Sequence, residues 1–234
     1  MASLPGPEPN GTLPWSWYYA QTPRQVRDLV GTDNRLVSIQ VNQALPLLLD
    51  VAVVSNLGTG HKNWWWVPNT GPDMTGAQLG EYSGFREGRT VSLAPYVIKG
   101  TTYFAAVLIA NTGSDYKAWW WYFDTPRANI NGLLSQNSAR LVDLRSYPKD
   151  GATLYAFVMI PNTGADESTW WWYTSVSPAS IRANLGENKA VLTSLQPTNA
   201  TGAAYDVVMN GSNAGSTMPA FQGVSWIWAT NDTD

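Results

Sequence analysis

Trp119-Trp120-Trp121 decides how this chain is read, because the chain repeats it. Trp64-Trp65-Trp66 and Trp170-Trp171-Trp172 give the triplet in full, while Trp15-Ser16-Trp17 and Trp226-Ile227-Trp228 keep its outer two members. These five clusters hold all 13 tryptophans of the chain. The constant element is Trp-x-Trp. Spacing i, i+2 puts two side chains on one face of a β-strand, whereas on a helix they would point about 200° apart. A strand is therefore predicted at each cluster. The ten outer indoles (Trp15, Trp17, Trp64, Trp66, Trp119, Trp121, Trp170, Trp172, Trp226 and Trp228) are expected to pack toward a common centre. The middle tryptophans, Trp65, Trp120 and Trp171, should face the other way, so that Trp120→Ala is expected to cost less stability than Trp121→Ala.

Working outward, the segments between clusters repeat as well. Thr22-Pro23, Thr125-Pro126 and Ser177-Pro178 each place a capping hydroxyl before a proline, a helix-start signal. Val26 and Val30, Ile130 and Leu133, and Ile181 and Leu185 then give one apolar stripe of a short helix. The second cycle has only Gly71-Pro72, Thr75, Leu79 and several glycines, and a helix is doubtful there. A strand opened by a cation follows: Arg35-Leu36-Val37, Arg89-Thr90-Val91, Arg140-Leu141-Val142 and Lys189-Ala190-Val191. A more continuous apolar strand comes next and ends in an Asn/Gly turn, most clearly at Asn111-Thr112-Gly113 and Asn162-Thr163-Gly164. The unit is read as helix, strand, strand, Trp strand, the last three forming a meander.

The third-place tryptophans Trp17, Trp66, Trp121, Trp172 and Trp228 recur every 49, 55, 51 and 56 residues. A period near 50 residues of antiparallel strands is that of propeller blades. The predicted fold is mainly β: a small tryptophan-centred propeller of four repeats, or five blades, each with a short outer helix. Its repeats run over about 18–67, 68–122, 123–173 and 174–229 of a single domain, 15–229. Residues 1–14, with four prolines, read as a flexible leader and 230–234 as a tail. A surplus Trp strand at the amino end would let the two ends meet in one closing blade; an open β-solenoid is the alternative.

Composition narrows the function classes. Apolar residues make up 44% of 234 residues and charged residues only 13%, so the chain is expected to fold. A net charge of −3 argues against nucleic acid or an acidic membrane as partner. No apolar run is long enough to cross a membrane as a helix. The absence of cysteine removes disulfides, thiol catalysis and zinc-thiolate sites. No metal cluster, phosphate loop or cofactor motif is present. Four Asn-x-Ser/Thr sequons, at Asn10, Asn199, Asn210 and Asn231, point toward an extracellular protein. The start, Met1-Ala2 before Pro/Gly-rich sequence, has no signal peptide and reads as a mature or trimmed terminus. A monomer is expected.

The Trp-Trp-Trp and Arg-Leu-Val strands resemble the tryptophan-rich repeat domain that precedes the β-lactamase-like domain of secreted fungal polyglycine hydrolases. The resemblance covers about residues 15–229 and contains no catalytic motif. It implies an accessory or binding role, with any hydrolase chemistry in a separate domain.

Read for chemistry, the chain offers little. Ser146-Tyr147-Pro148-Lys149 has the spacing of a Ser-x-x-Lys dyad, but it follows a strand and runs into Asp150-Gly151, so it reads as a hairpin turn. His61, the only histidine, reads as a solvated loop residue. Asp50 and Asp206 head equivalent strands and Asp143 lies on the strand before, yet equivalent places in different repeats lie far apart. Asp115 and Asp166-Glu167 read as solvated. Arg35, Arg89, Arg140 and Lys189 suggest a repeated structural salt bridge or backbone contact. No catalytic residue is assigned. For binding, the indoles of Trp65, Trp120 and Trp171 could stack on a sugar ring or a proline, although packing beneath the helices is the plainer reading. The amides near Asn111 and Asn162 suit hydroxyl recognition and turns equally. The expected function is a non-catalytic binding or accessory domain with a carbohydrate or polypeptide ligand. The alternatives are a purely structural or designed scaffold and a hydrolase with an unrecognised site.

Overall fold

A computed structural model of the chain describes residues 4–5, 15–69, 71, 73–198 and 202–211. It is mainly β, with four antiparallel sheets, each accompanied by one short helix. The first sheet comprises β1 (Leu4–Pro5), β2 (Trp15–Gln21), β3 (Asn34–Gln43) and β4 (Leu48–Ser55), with α1 (Pro23–Val30) between β2 and β3. The second contains β5 (Trp64–Val67), β6 (Met74–Thr75), β7 (Gly88–Ile98) and β8 (Thr101–Ala110), with α2 (Gly76–Phe85). The third holds β9 (Trp120–Pro126), β10 (Ala139–Lys149) and β11 (Ala152–Pro161), with α3 (Arg127–Gln136). The fourth holds β12 (Trp170–Val176), β13 (Ala190–Pro197) and β14 (Tyr205–Gly211), with α4 (Pro178–Glu187).

The unit differs from the meander expected from the sequence. Each Trp strand pairs with the apolar strand that follows it in the chain, so Trp64, Trp65 and Trp66 lie opposite Ile109, Leu108 and Val107. The order across every sheet is Trp strand, apolar strand, cation-led strand. The sheet unit therefore starts at a Trp strand, and Trp15–Trp17 is no surplus. The reason lies in the apolar strand: the preceding helix returns the chain to one of its edges, leaving the other edge for its own Trp strand. Among the described residues no sheet closes on itself. Leu4 and Pro5, read as part of a mobile leader, pair with Trp17 and Ser16. Trp226 and Trp228 lie outside the described residues.

The helices begin largely where the caps require. The Thr22 and Ser177 side chains accept from Gln25 N and Ser180 N. Thr125 caps nothing; its hydroxyl donates to the Phe123 carbonyl and α3 starts one residue later, with buried Ile130 and Leu134 where Leu133 was expected. The doubtful second helix exists. It starts at a Thr75/Gln78 capping box and not at Gly71-Pro72. The second Trp strand is split into β5 and β6, with Val67 opposite Ala106 and Met74 opposite Phe104.

Among the described residues, the tryptophans from Trp64 to Trp172 do not share one cluster but fill successive layers between sheets. In the first layer Val26 and Val30 of α1 and Leu36, Ile39, Leu49, Val51 and Val53 of the first sheet meet Trp64, Trp66, Ala105 and Val107 of the second. In the second, Leu79, Leu93, Phe104 and Leu108 meet Trp119, Trp121, Tyr147 and Val158. In the third, Ile130, Leu141, Phe157 and Met159 meet Trp170, Trp172 and Val208. The outer indole pair of each sheet thus covers the helix-bearing face of the preceding sheet, and the middle indole covers its own. Because both faces of β8 and β11 are buried in this way, Phe104–Ile109 and Tyr155–Ile160 read as unbroken apolar runs.

The cation-led strands form the edge along which sheets touch. A β-bulge at Val37, Val91, Val142 and Thr193 shifts the register of each one. As edge strands they carry N–H groups without ladder partners, and the next sheet supplies the acceptor. Ile39 N donates to Ser92 Oγ (3.2 Å), Leu93 N to Asp143 Oδ2 (2.7 Å) and Leu144 N to Ser194 Oγ (3.3 Å), all buried. Gln196 adds a pair to Ser146, accepting from its N–H at 2.8 Å and donating to its carbonyl at 3.0 Å.

Trp66, only 4% exposed, is the most buried described tryptophan and bridges two sheets. Trp66→Ala should cost about 3–5 kcal/mol in urea unfolding, more than Trp64→Ala. Trp120 and Trp121 sit in adjacent layers and are both half-buried. Their alanine variants should therefore lose similar stability, in place of the asymmetry expected from the sequence.

Candidate functional site

The strongest candidate site is an open groove of about 590 Å³ between the third and fourth sheets. One wall is the Trp strand of the fourth sheet, Trp170, Trp171, Trp172 and Tyr173. The other is the exposed face of α3 and the turn after it, with Asn131, Ser135 and Ser138. The indoles are there because the Trp strand must cover α3, and the polar groups because a short amphipathic helix turns one face to solvent. The result is a flat aromatic wall opposite amides and hydroxyls. A smaller groove of about 440 Å³ is lined by Arg24 and Arg27 of α1 and by Pro68, Asn69, Gly71 and Asp73, with Arg27 donating to the Asn69 carbonyl.

Of the three middle tryptophans, only Trp171 reaches the larger groove. Trp65 packs in the second layer, with the Arg86 guanidinium 5.6 Å from its ring centroid. Trp120 packs in the third layer. The indoles thus occupy separate positions and form no single face. Asn131, Ser135 and Ser138 were not singled out from the sequence. Their only signal was polarity on the outer face of α3, which every surface helix shows.

The amides of Asn56, Asn111 and Asn162 are spent on loop closure. Each donates to and accepts from the backbone six residues on; for Asn111 both bonds to Lys117 are 2.9 Å. Asp115 and Asp166, expected to be solvated, instead take half-buried ion pairs from the preceding loop: Lys62–Asp115 at 2.5 Å, and Lys117–Asp166. Three of the recurring cations, Arg35, Arg89 and Arg140, are not ion-paired: among the described residues no ion pair within 4.0 Å involves them, and the Nε of each has no partner. Burial pushes all three guanidinium groups below their usual range; Asp115 and Asp166 partly restore Arg89, and Asp166 partly restores Arg140. With its side-chain amide turned end for end, Asn210 accepts from Arg140 Nη1 at 2.9 Å and donates to the Met209 carbonyl at 3.2 Å.

The residues weighed for catalysis are dispersed. Ser146 and Lys149 lie three apart on β10, on opposite faces, and Lys149 pairs with Asp124. Asp150-Gly151 form the turn after them, both at positive φ. His61 is exposed in its loop. Asp50 accepts from Ala20 N (2.8 Å) and Asn42 Nδ2 (3.1 Å), while Asp206 accepts from Ser175 N (3.0 Å). Both carboxylates hold the kink of their own sheet's Trp strand, at positive-φ Ala20 and Ser175, one in the first sheet and the other in the fourth. Asp143 accepts from Leu93 N and Ser194 Oγ (2.7 Å) and forms an ion pair with Arg145, whose Nε lies 3.0 Å away without a hydrogen bond, in a buried cluster. No group of three or more metal-ligating side chains occurs among the described residues. No described helix is long and apolar enough to cross a membrane. Asn210 is 4% exposed in a central strand, so its sequon has no room for a glycan in the folded chain; Asn10, Asn199 and Asn231 lie outside the described residues.

No protein-family model, curated protein or solved structure matches the chain.

Two carboxylates titrate in opposite senses. Burial pushes Asp206 up, only partly offset by the Ser146 hydroxyl and the Ser175 N–H; its Oδ2 has no partner. A raised folded-state value stabilises most below the unfolded carboxylate range and is lost as pH rises through the folded value. Asp206→Asn should therefore gain stability at neutral pH and flatten the loss between mildly acidic and neutral pH in thermal melts. Burial also acts to raise Asp124, but bonds from Lys149, Tyr147 and Thr102 together hold it below its usual range. Its contribution is present above the unfolded value and fades as pH falls through the folded one. Asp143→Ala strands Arg145 and should cost about 3–5 kcal/mol in chemical unfolding.

Proposed function

We propose that this chain is a non-catalytic binding or accessory module, exported from the cell, that takes a carbohydrate in the groove between its third and fourth sheets. The observation that carries the reading is that groove: tryptophans of one strand facing the side chains of Asn131, Ser135 and Ser138 across about 590 Å³. A pyranose ring presents an apolar face to an indole and hydroxyls at its rim, which suits this pairing of surfaces. The resemblance read from the Trp-Trp-Trp and Arg-Leu-Val strands alone is to an accessory domain, and the same role is proposed for this chain. In the same reading the four sheets are blades of a small propeller. Edges stapled by buried hydrogen bonds between successive sheets support that arrangement, although the helices, expected on the outside, pack in the layers between sheets.

A glycan array with the full chain tests the proposal. The expected result is a defined set of sugars that is lost in Trp171→Ala and weakened about tenfold or more in Asn131→Ala, a loss of roughly 1.4 kcal/mol, while the exposed Asn131 variant melts as the parent does. A blank array with a sharp melt would discard the glycan reading. The packing of Trp65 and Trp120 inside the layers would then favour a structural repeat scaffold.

A further inference from the structure

Arg35, Arg89 and Arg140 occupy one repeated place in the fold. Each stands two residues before the bulge of its edge strand, at Val37, Val91 and Val142. Each also stands four residues before the N–H that staples its sheet to the next, from Ile39, Leu93 and Leu144. The three therefore lie level on neighbouring edge strands. They sit at the loop end, opposite Val54, Ile109 and Ile160, two residues short of the loop-closing Asn56, Asn111 and Asn162. The fourth sheet breaks the series. Its bulge at Thr193 puts Val191 in the arginine place, while Lys189 shares the positive-φ turn position of Glu87 and Ser138.

We infer that Arg35, Arg89 and Arg140 together hold one tetrahedral oxyanion, a phosphate or sulfate group, at this loop end. Their Nε atoms are buried without a partner among the described residues, and Arg140 is only 5% exposed. A guanidinium taken out of water without a counter-charge is costly. The carboxylates of the same end do not supply one, because Asp115 is committed to Lys62 and Asp166 to Lys117. The exposed Asp33 and Glu87, two residues upstream of Arg35 and Arg89, form no ion pair with them among the described residues. Asp166 acts electrostatically on both Arg89 and Arg140, so these two guanidinium groups have a common neighbour. Asn210 gives Arg140 a neutral acceptor only, and the equivalent places opposite Arg89 and Arg140 are Ile109 and Ile160, which have no side-chain acceptor. Guanidinium forks match the oxygens of phosphate and sulfate in pairs. Three forks suit a doubly charged tetrahedral ion better than a single carboxylate. The inference is independent of whether a sugar binds the groove on α3.

Isothermal titration calorimetry on the full chain, with sodium phosphate and sodium sulfate at constant ionic strength and sodium chloride as the control, tests this site. Saturable binding of one oxyanion per chain is expected, with none for chloride. Affinity should fall about tenfold or more in each of Arg35→Gln, Arg89→Gln and Arg140→Gln, as expected for loss of a charge-assisted fork. It should stay at the parent level in Arg182→Gln, an exposed cation of α4. Arg89→Lys keeps the charge and much of the apolar stem but removes the fork, and it should also bind more weakly. If the glutamine variants do not fold, the parent still decides: phosphate should raise its melting temperature above that in chloride of equal ionic strength. Methyl phosphate separates two sources of the anion. Binding as tight as that of phosphate assigns the site to an ester group on a larger ligand, and loss of binding assigns it to the free ion; both uphold the oxyanion site. Equal melting in phosphate, sulfate and chloride without saturable heat would overturn the inference, as would binding that survives all three glutamine substitutions.

Discussion

Everything in this structure depends on a sheet that cannot bury both of its faces alone. The central strands β8 and β11 are apolar on both sides, and a helix of two to three turns covers only part of one. The next sheet completes the cover by laying two indoles beside that helix. An indole pair is suited to the task because each ring can bury on the order of 200 Å² while needing only an i, i+2 spacing on a strand. Tryptophan recurs for this reason at one place per unit, and a chain without disulfides assembles a continuous core from small pieces.

Indoles specify adjacency but not registration, since apolar contact is nondirectional. Registration comes from the opposite edge. There the bulged, cation-led strands offer N–H groups that only a side chain of the following sheet satisfies, from Ser92, Asp143 or Ser194. Asp143 carries most of this task, holding a backbone N–H, a hydroxyl and the buried Arg145 at once. At the turn end a looser ladder of loop ion pairs adds little energy, because half-exposed pairs are worth about 0–1 kcal/mol. The polar groups that looked chemically suggestive are mostly these fixings. The groove on α3 differs in that its polar side chains face solvent, which is why it carries the functional reading.

The sequence itself determined much of this. It showed the repeat, its period of about 50 residues, the strand character of Trp-x-Trp, opposite faces for Trp120 and Trp121, and helices at Thr22 and Ser177, because each follows from local periodicity or capping chemistry. The second helix was legible too, in Thr75 and Gln78, but three glycines masked it. Tertiary structure alone decided which strand pairs with which, since an antiparallel apolar strand can accept the Trp strand before or after it and no local signal chooses. It also decided that the indoles from Trp64 to Trp172 lie in successive layers and do not share one cluster, because i, i+2 spacing fixes a face but not the neighbour it meets. The groove belongs to the same class: Trp171 was visible in the sequence, while Asn131, Ser135 and Ser138 became its neighbours only when one sheet was set against the next.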